Sequence, residues 1–331
     1  MEQENRTNPE KNTPEAVTGP RTVRRRKKKR FSAPMITVLI LCGLVFVGSM
    51  TYIVRDLLQS GQISGELDHV IESAFGSGSR LEGVYIDPND PNAGTIGEED
   101  QTGVNTEDRT EHTFTIVGID EVDVSALPYL KQPDWNRLQN SNGDTKAWLY
   151  MPSTASVTGL PFDIAVVQTD NNSFYLNHSF SKQENENGWV YADYRNDMNT
   201  ITNNYNTIFY GHARSYKMFG GLKYLNEKPE WYNNGNNHFI YINTPTERTI
   251  WQIFSWYETN VEHYYIKTNF ASGQDFVDFV NDLQSRNEIA AFARYNFTEN
   301  SRIITFSTCK GLNPNNRVAM HAVLVKSESI G

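Results

Sequence analysis

Thr305-Phe306-Ser307-Thr308-Cys309, followed by Lys310 to Arg317, is the stretch from which the rest of the chain can be read. β-Branched, aromatic and small polar residues alternate through it, so it reads as a strand that ends on a thiol. A short turn follows, then a second strand that opens on Arg317. The chain has two cysteines. The other, Cys42, lies inside an apolar run, so Cys309 has no disulfide partner in a folded domain. A lone thiol in an oxidising compartment is a liability unless its reactivity is used.

The compartment follows from the N-terminus. Residues 1–30 carry ten Lys/Arg against four Asp/Glu, a balance of +6; the chain total of −9 leaves −15 for the remainder. That acidic remainder offers no nucleic-acid surface. Phe31 to Val54 contains no charge, and its Met35–Val54 core is 20 residues long, about the ~20 needed to cross a bilayer. A run of basic residues before the segment and no such run after it predict a cytoplasmic N-terminus and an extracellular remainder. A cleavable signal peptide is the alternative, but no small-x-small site follows the run. The expected organisation is a basic cytoplasmic tail (1–30), a transmembrane signal anchor (31–54), an extracellular linker (55–112) and a folded domain (113–331). Within the linker, Asp56 to about Phe75 has a loose apolar face (Leu57, Leu58, Ile63, Leu67, Val70, Ile71) and can extend as a helix. Gly76 to His112 is rich in Gly, Ser, Asn, Asp and Glu and lacks the spacing of a calcium loop.

In the domain, Asp123 to Leu138 has helical character, with Pro133-Asp134 opening a turn at Trp135. Short strands are expected at Ala147–Met151, Ile164–Gln168, Phe174–Leu176, Thr207–Tyr210, Phe239–Asn243, Thr249–Trp256, Arg302–Thr308 and Val318–Val325. Eight such strands with few helices predict a mainly β fold: a closed eight-stranded barrel with added N-terminal helices. Ser272 reads as a helix cap, and Phe276, Phe279, Val280 and Leu283 have the i, i+3, i+4, i+7 spacing of an amphipathic helix. This is a helical insert before the cysteine strand, with Ile289–Tyr295 read as a further turn or two.

A thiol nucleophile needs a base, and histidine is the usual one. Of seven histidines, His69 and His112 fall in or beside the linker, and His178, His238 and His263 at strand or loop ends. His212 is favoured because Gly211-His212 at a strand end exposes the ring at a barrel rim. His321, sharing strand parity with Arg317, is the internal competitor. Arg317, eight positions after Cys309, can return beside the thiol and hold an oxyanion. No Cys/His pairs have zinc spacing, and no phosphate loop is present, so no metal or cofactor is expected.

These residues resemble the Thr-Leu-x-Thr-Cys…Arg signature of the sortases, membrane-anchored cysteine transpeptidases of Gram-positive bacteria, with Phe306 in place of the usual leucine. Trp148-Leu149-Tyr150-Met151-Pro152, Val166-Val167-Gln168, Tyr175-Leu176-Asn177-His178, Tyr210-Gly211-His212 and Met218 to Tyr224 follow in family order. The helix before Cys309 and His321-Ala322-Val323-Leu324-Val325 are similar to class B in particular. The resemblance covers roughly residues 124–326. It implies the sortase barrel, with Cys309 as nucleophile, His212 as acid/base and Arg317 as the substrate- and oxyanion-holding group. Ser307, Thr308, Leu176, Tyr265 and Ile266 are the expected substrate-groove residues. It further implies cleavage of a sorting signal on secreted proteins through a thioacyl enzyme, then transfer to an amine of peptidoglycan or a pilin. Pro133-Asp134-Trp135 has the residue types of a class C lid in another order and is not read as one. An L,D-transpeptidase would also use Cys, His and Arg, but its Ser-x-Gly-Cys-x-Arg motif is absent. A non-catalytic surface module with an inert thiol is the reading from a different class.

Overall fold

The computed structural model describes residues 33–76, 124–151, 154, 162–214, 218–311, 313 and 315–330. The basic tail, the Gly/Ser/acidic linker from residue 77, the expected domain start at 113–123 and Pro152 lie outside the described residues. The chain divides into two compact units, one ending at Tyr52 and the other running from Ile53 to Gly331.

Helix α1 (Ala33–Phe75) is 43 residues long. Its first part is long and apolar enough to cross a membrane, with Met35 to Val54 exposed throughout. Residues 55–75, placed by sequence in the linker, continue the helix. Ile63, Val70 and Ala74 are buried, and Leu67, Ile71 and Phe75 pack against the main core. The helical spacing of these six puts them on one stripe. Leu57 and Leu58, assigned to the same face, are instead exposed. Phe75 meets Trp148 edge-on at 5.1 Å. Asp134 caps helix α2 (Trp135–Ser141) by accepting from the Arg137 N–H, and its own N–H donates to the Ala74 carbonyl.

Eight strands close a barrel: β1 (Thr145–Met151), β2 (Phe162–Val167), β3 (Tyr191–Ala192), β4 (Asn206–Tyr210), β5 (Phe239–Asn243), β6 (Glu247–Asn260), β7 (Ile303–Cys309) and β8 (Asn316–Ser329). Their order is β1-β2-β3-β4-β7-β8-β6-β5, with β5 returning to β1. The β2/β3 and β4/β7 pairs are parallel and the others antiparallel. Helix α3 (Pro229–Tyr232) precedes β5, and α4 (Gly273–Ser285) lies between β6 and β7. Two expectations need correction. Phe174–Leu176 is a 3-10 turn, not a strand, and the remaining strand is the two-residue β3. Ile289–Tyr295 does not continue α4; Asn287 caps that segment by accepting from the Ile289 N–H, and Tyr295 donates its N–H to Gln284 Oε1.

Most strands lack polar alternation because both faces are covered. The interior holds Trp148, Phe209, Phe219 and Phe306, while a second cluster seats Phe276, Val280 and Leu283 of α4 on Phe254, Tyr257, Ile303 and Ala319. Ser272 caps α4 as expected, accepting from the Asp275 N–H.

One buried carboxyl opposes this packing. Asp163 on β2 is 5% exposed, and its carboxyl accepts from Trp148 Nε1 at 2.7 Å. Burial pushes its pKa up from 3.8 to about 6, partly offset by that bond. The folded state therefore holds this proton more tightly than the unfolded chain. The associated stability is present below the unfolded pKa and is lost as pH rises through about 6. Asp163→Asn keeps an acceptor for the indole and removes the charge. It is expected to raise unfolding free energy at pH 7 by up to ~3 kcal/mol, and by little at pH 4, in urea melts at the two pH values.

Candidate active site

The site grows from the pairing of β7 with its two neighbours. Side chains alternate along a strand, so Ile304 and Phe306 enter the interior while Thr305, Ser307 and Cys309 point the other way. On β8, Arg317, Ala319, His321 and Val323 share that second face. Cys309 and Arg317 are directly opposed in the register, the relation that the eight-residue spacing predicted. On the other side, β4 runs parallel to β7 and its last pair is Tyr210 with Ser307. The ladder continues one step further: Gly211 N–H donates to the Ser307 carbonyl at 3.4 Å, and Thr308 Oγ1 donates to the Gly211 carbonyl at 2.8 Å. His212 thus leaves the end of β4 tied to the strand that ends on Cys309. Glycine is required before it, because a Cβ at 211 would lie 2.8 Å from the ring of the buried Phe219.

A groove of about 310 Å³ opens here. All eight residues singled out from the sequence border it: Cys309, His212, Arg317, Ser307, Thr308, Leu176, Tyr265 and Ile266. Tyr265 and Ser307 share a hydroxyl–hydroxyl bond of 2.8 Å across its floor. Thr308's hydroxyl is committed to Gly211. Leu176 is 41% exposed at the rim.

His212 is held from outside the sheet. Its Nε2 lies 2.6 Å from the Leu176 carbonyl. A carbonyl only accepts, so the ring proton sits on Nε2 and Nδ1 is left as the basic nitrogen of the neutral ring. Burial lowers the imidazole's pKa; the Leu176 bond works against this, and Arg214 adds to it. His321, the competitor, has the right parity but is fully buried and does not border the groove. Its Nδ1 meets Thr305 Oγ1 at 2.9 Å and its Nε2 meets the Tyr257 hydroxyl at 3.1 Å. Burial, with His263 nearby, drives its pKa down to about 3.

The sequence reading missed part of the wall. Tyr191, Tyr210, Val261, His263 and Tyr264 also line the groove. Behind them, Asp193 is fully buried and collects donors: Arg195 Nε at 2.8 Å and Nη2 at 2.7 Å, the Tyr210 hydroxyl at 2.8 Å and Asn172 Nδ2 at 2.9 Å. Arg195 reaches on to the Ile266 carbonyl and the Tyr264 hydroxyl, both at 3.1 Å. It fastens the 261–266 segment to the strands beneath. No local pattern marks an ion pair whose targets lie some seventy residues away. Among the described residues, no cluster of His, Cys, Asp and Glu could hold a metal ion.

No family model matches the chain. Among curated proteins it is 29% identical to sortase B of Staphylococcus aureus over 54% of this chain and 68% of that one. It is 31% identical to sortase B of Listeria monocytogenes over 52% of this chain and 65% of that one. The chain thus spans about two thirds of the length of these relatives. Among solved structures, sortase B of Bacillus anthracis in complex with AAEK1 superposes with a TM-score of 0.50 at 29% identity, covering 60% of this chain and 86% of that one. Eight strands closed in one barrel, a helix before the cysteine strand, and these matches make the chain similar to the class B sortases in both fold and sequence.

Proposed function

We propose that the chain is a membrane-tethered cysteine transpeptidase. The observation that carries this reading is the Cys309–Arg317 cross-strand pair in a groove that also receives His212. In this reading the Cys309 sulfur attacks the carbonyl carbon of a peptide bond in a sorting signal. Arg317 donates to the carbonyl oxygen as it gains charge. The C–N bond breaks, the leaving amine takes a proton by way of His212, and a thioester to Cys309 remains. An amine from a peptidoglycan stem peptide or a pilin then attacks the thioester, gives up a proton to His212, and leaves with the acyl group as a new amide. Ser307, Thr308, Leu176, Tyr265 and Ile266 form the walls that hold the signal peptide. The exposed apolar part of α1 anchors the chain with residues 1–30 in the cytoplasm and the barrel outside.

Intact-mass analysis tests this, using the chain from Ile53 onward so that the packed part of α1 is retained. The protein is incubated with sorting-signal peptides, then with an amine. A thioester adduct on Cys309 that the amine resolves into a ligated peptide is the expected result. A thiol that alkylates readily yet forms no adduct with any peptide overturns the substrate assignment. A thiol that neither alkylates nor acylates overturns the enzyme reading in favour of a binding module.

A further inference from the structure

The second half of α1 does more than continue an anchor. Residues 177–188, between the 3-10 turn and β3, form a closed loop. Asn185 N–H donates to the Asn177 carbonyl and Ser179 N–H to the Gln183 carbonyl, both at 2.9 Å, and the loop returns where Trp189 N–H meets the Tyr175 carbonyl at 3.0 Å. At that return Gly188 has φ +60°, and a Cβ there would sit 2.4 Å from the Tyr175 oxygen and 2.8 Å from the Leu176 oxygen. The backbone is therefore pressed against the back of the carbonyl that holds His212.

The outer end of the same loop is gripped by α1. Glu66 Oε1 accepts from the Ser181 N–H and from Ser179 Oγ, the latter at 3.2 Å. Asn185 Nδ2 donates to the Gln59 carbonyl at 3.1 Å. Glu186 pairs with Arg55 at 3.3 Å and with Arg214, two residues after His212, at 2.7 Å. Gln59, Ile63, Glu66 and Val70 share one helical face, and Ile63 and Val70 are buried.

We propose that the stretch of α1 from Arg55 to Val70 is a positioning element for His212: it fixes the 177–188 loop, and the loop fixes the Leu176 carbonyl that sets the ring's tautomer and orientation. The proposal rests on His212 acting as the acid/base. The exposed Arg55–Glu186 pair adds little by itself; the grip comes from Glu66, Gln59 and the buried stripe. Placement errors of about 1 Å at a reacting group cost on the order of a hundredfold in rate, so a loosened loop has a large lever.

The test uses the full chain in detergent micelles, with Glu66→Ala and Glu66→Gln. The glutamine variant keeps a carbonyl-type acceptor for Ser181 and Ser179; the alanine variant does not. Glu66→Ala is expected to lower kcat about tenfold or more with KM little changed, and to speed amide exchange across 177–188. It should also move the acid limb of the rate profile to lower pH. The direction follows from the groups around the ring. Losing the Leu176 bond disfavours the imidazolium, and freeing Arg214 from Glu186 does the same; Cys309, Arg317, Tyr191 and Tyr210 in the groove are unchanged. Glu66→Gln should keep rate, exchange and profile close to those of the parent chain. Faster exchange in Glu66→Ala with unaltered kcat and pH profile overturns the proposal, as does unaltered exchange. If His212→Ala is inactive while Glu66→Ala is not impaired, only the role of α1 falls. If His212→Ala is fully active, the assignment of the base falls first.

Discussion

Cys309→Ala is expected to abolish acyl-enzyme formation and to cost at least about four orders of magnitude in kcat, because in the proposed mechanism it removes the nucleophile that divides one difficult step into two. Its neighbours define how the loss is apportioned. His212→Ala should approach the same floor, since residues that act as a unit are not additive. Arg317→Ala should cost about 3–4 kcal/mol of transition-state stabilisation, on the scale of an oxyanion donor, with the thiol still open to alkylation. Arg317→Lys keeps the charge and loses the planar fork, so partial recovery is expected at best. His321→Ala provides the contrast. Its ring is buried between Thr305 and Tyr257, so the change should lower the melting temperature while leaving kcat in the surviving folded protein close to normal. Steady-state transpeptidation with a mass-resolved acylation step measures every one of these variants. Activity lost in His321→Ala but retained in His212→Ala would reverse the assignment of the base.

The second large effect lies at Asp193. Burial alone would raise this carboxyl, but hydrogen bonds from Arg195 and Tyr210 outweigh it and hold the group below the usual range. A depressed folded pKa places its stability above the unfolded pKa, and that stability is lost as pH falls through the folded value. Asp193→Ala leaves Arg195 without its carboxylate and Tyr210 and Asn172 without their acceptor. Breaking a buried pair in this way typically costs about 3–5 kcal/mol. Urea melts should show that loss. Kinetics should show a second consequence, because Arg195 would no longer hold Ile266 and Tyr264: KM for a peptide substrate should rise more than kcat falls. A melting loss with unchanged KM would mean that the 261–266 wall stands without the clamp.

Much of this architecture is written in local pattern. The α4 stripe, its Ser272 cap and the Cys309-to-Arg317 return follow from spacing alone, and the structure places them as spacing predicts. The misses share a cause. Phe174–Leu176 has strand composition, but Asn171 Oδ1 accepts from the Ser173 and Phe174 N–H groups and bends the chain into a turn. Tyr191–Ala192 is too short for any period to register. Arg195, Tyr264 and the grip of α1 on the 177–188 loop depend on contacts between segments distant in sequence, which no window of residues contains. Parity placed His321 and Arg317 correctly on one face; the enclosure of His321 was decided by Tyr257 and Phe254 on β6 and by Tyr265.

The parallel pairing of β4 with β7 also governs when the thiol acquires its partner. Gly211 and Thr308 are 97 residues apart, and their bond forms across that pair. Contacts of such long separation are closed late and slowly as a chain collapses, after local helices and hairpins. The β7–β8 hairpin that sets Arg317 opposite Cys309 is local, whereas His212 comes beside the thiol only when β4 joins β7. Under the proposed function, the histidine partner of the thiol is therefore assembled only when the sheet seals, and a chain whose sheet is still open lacks the base with which to acylate itself or its neighbours.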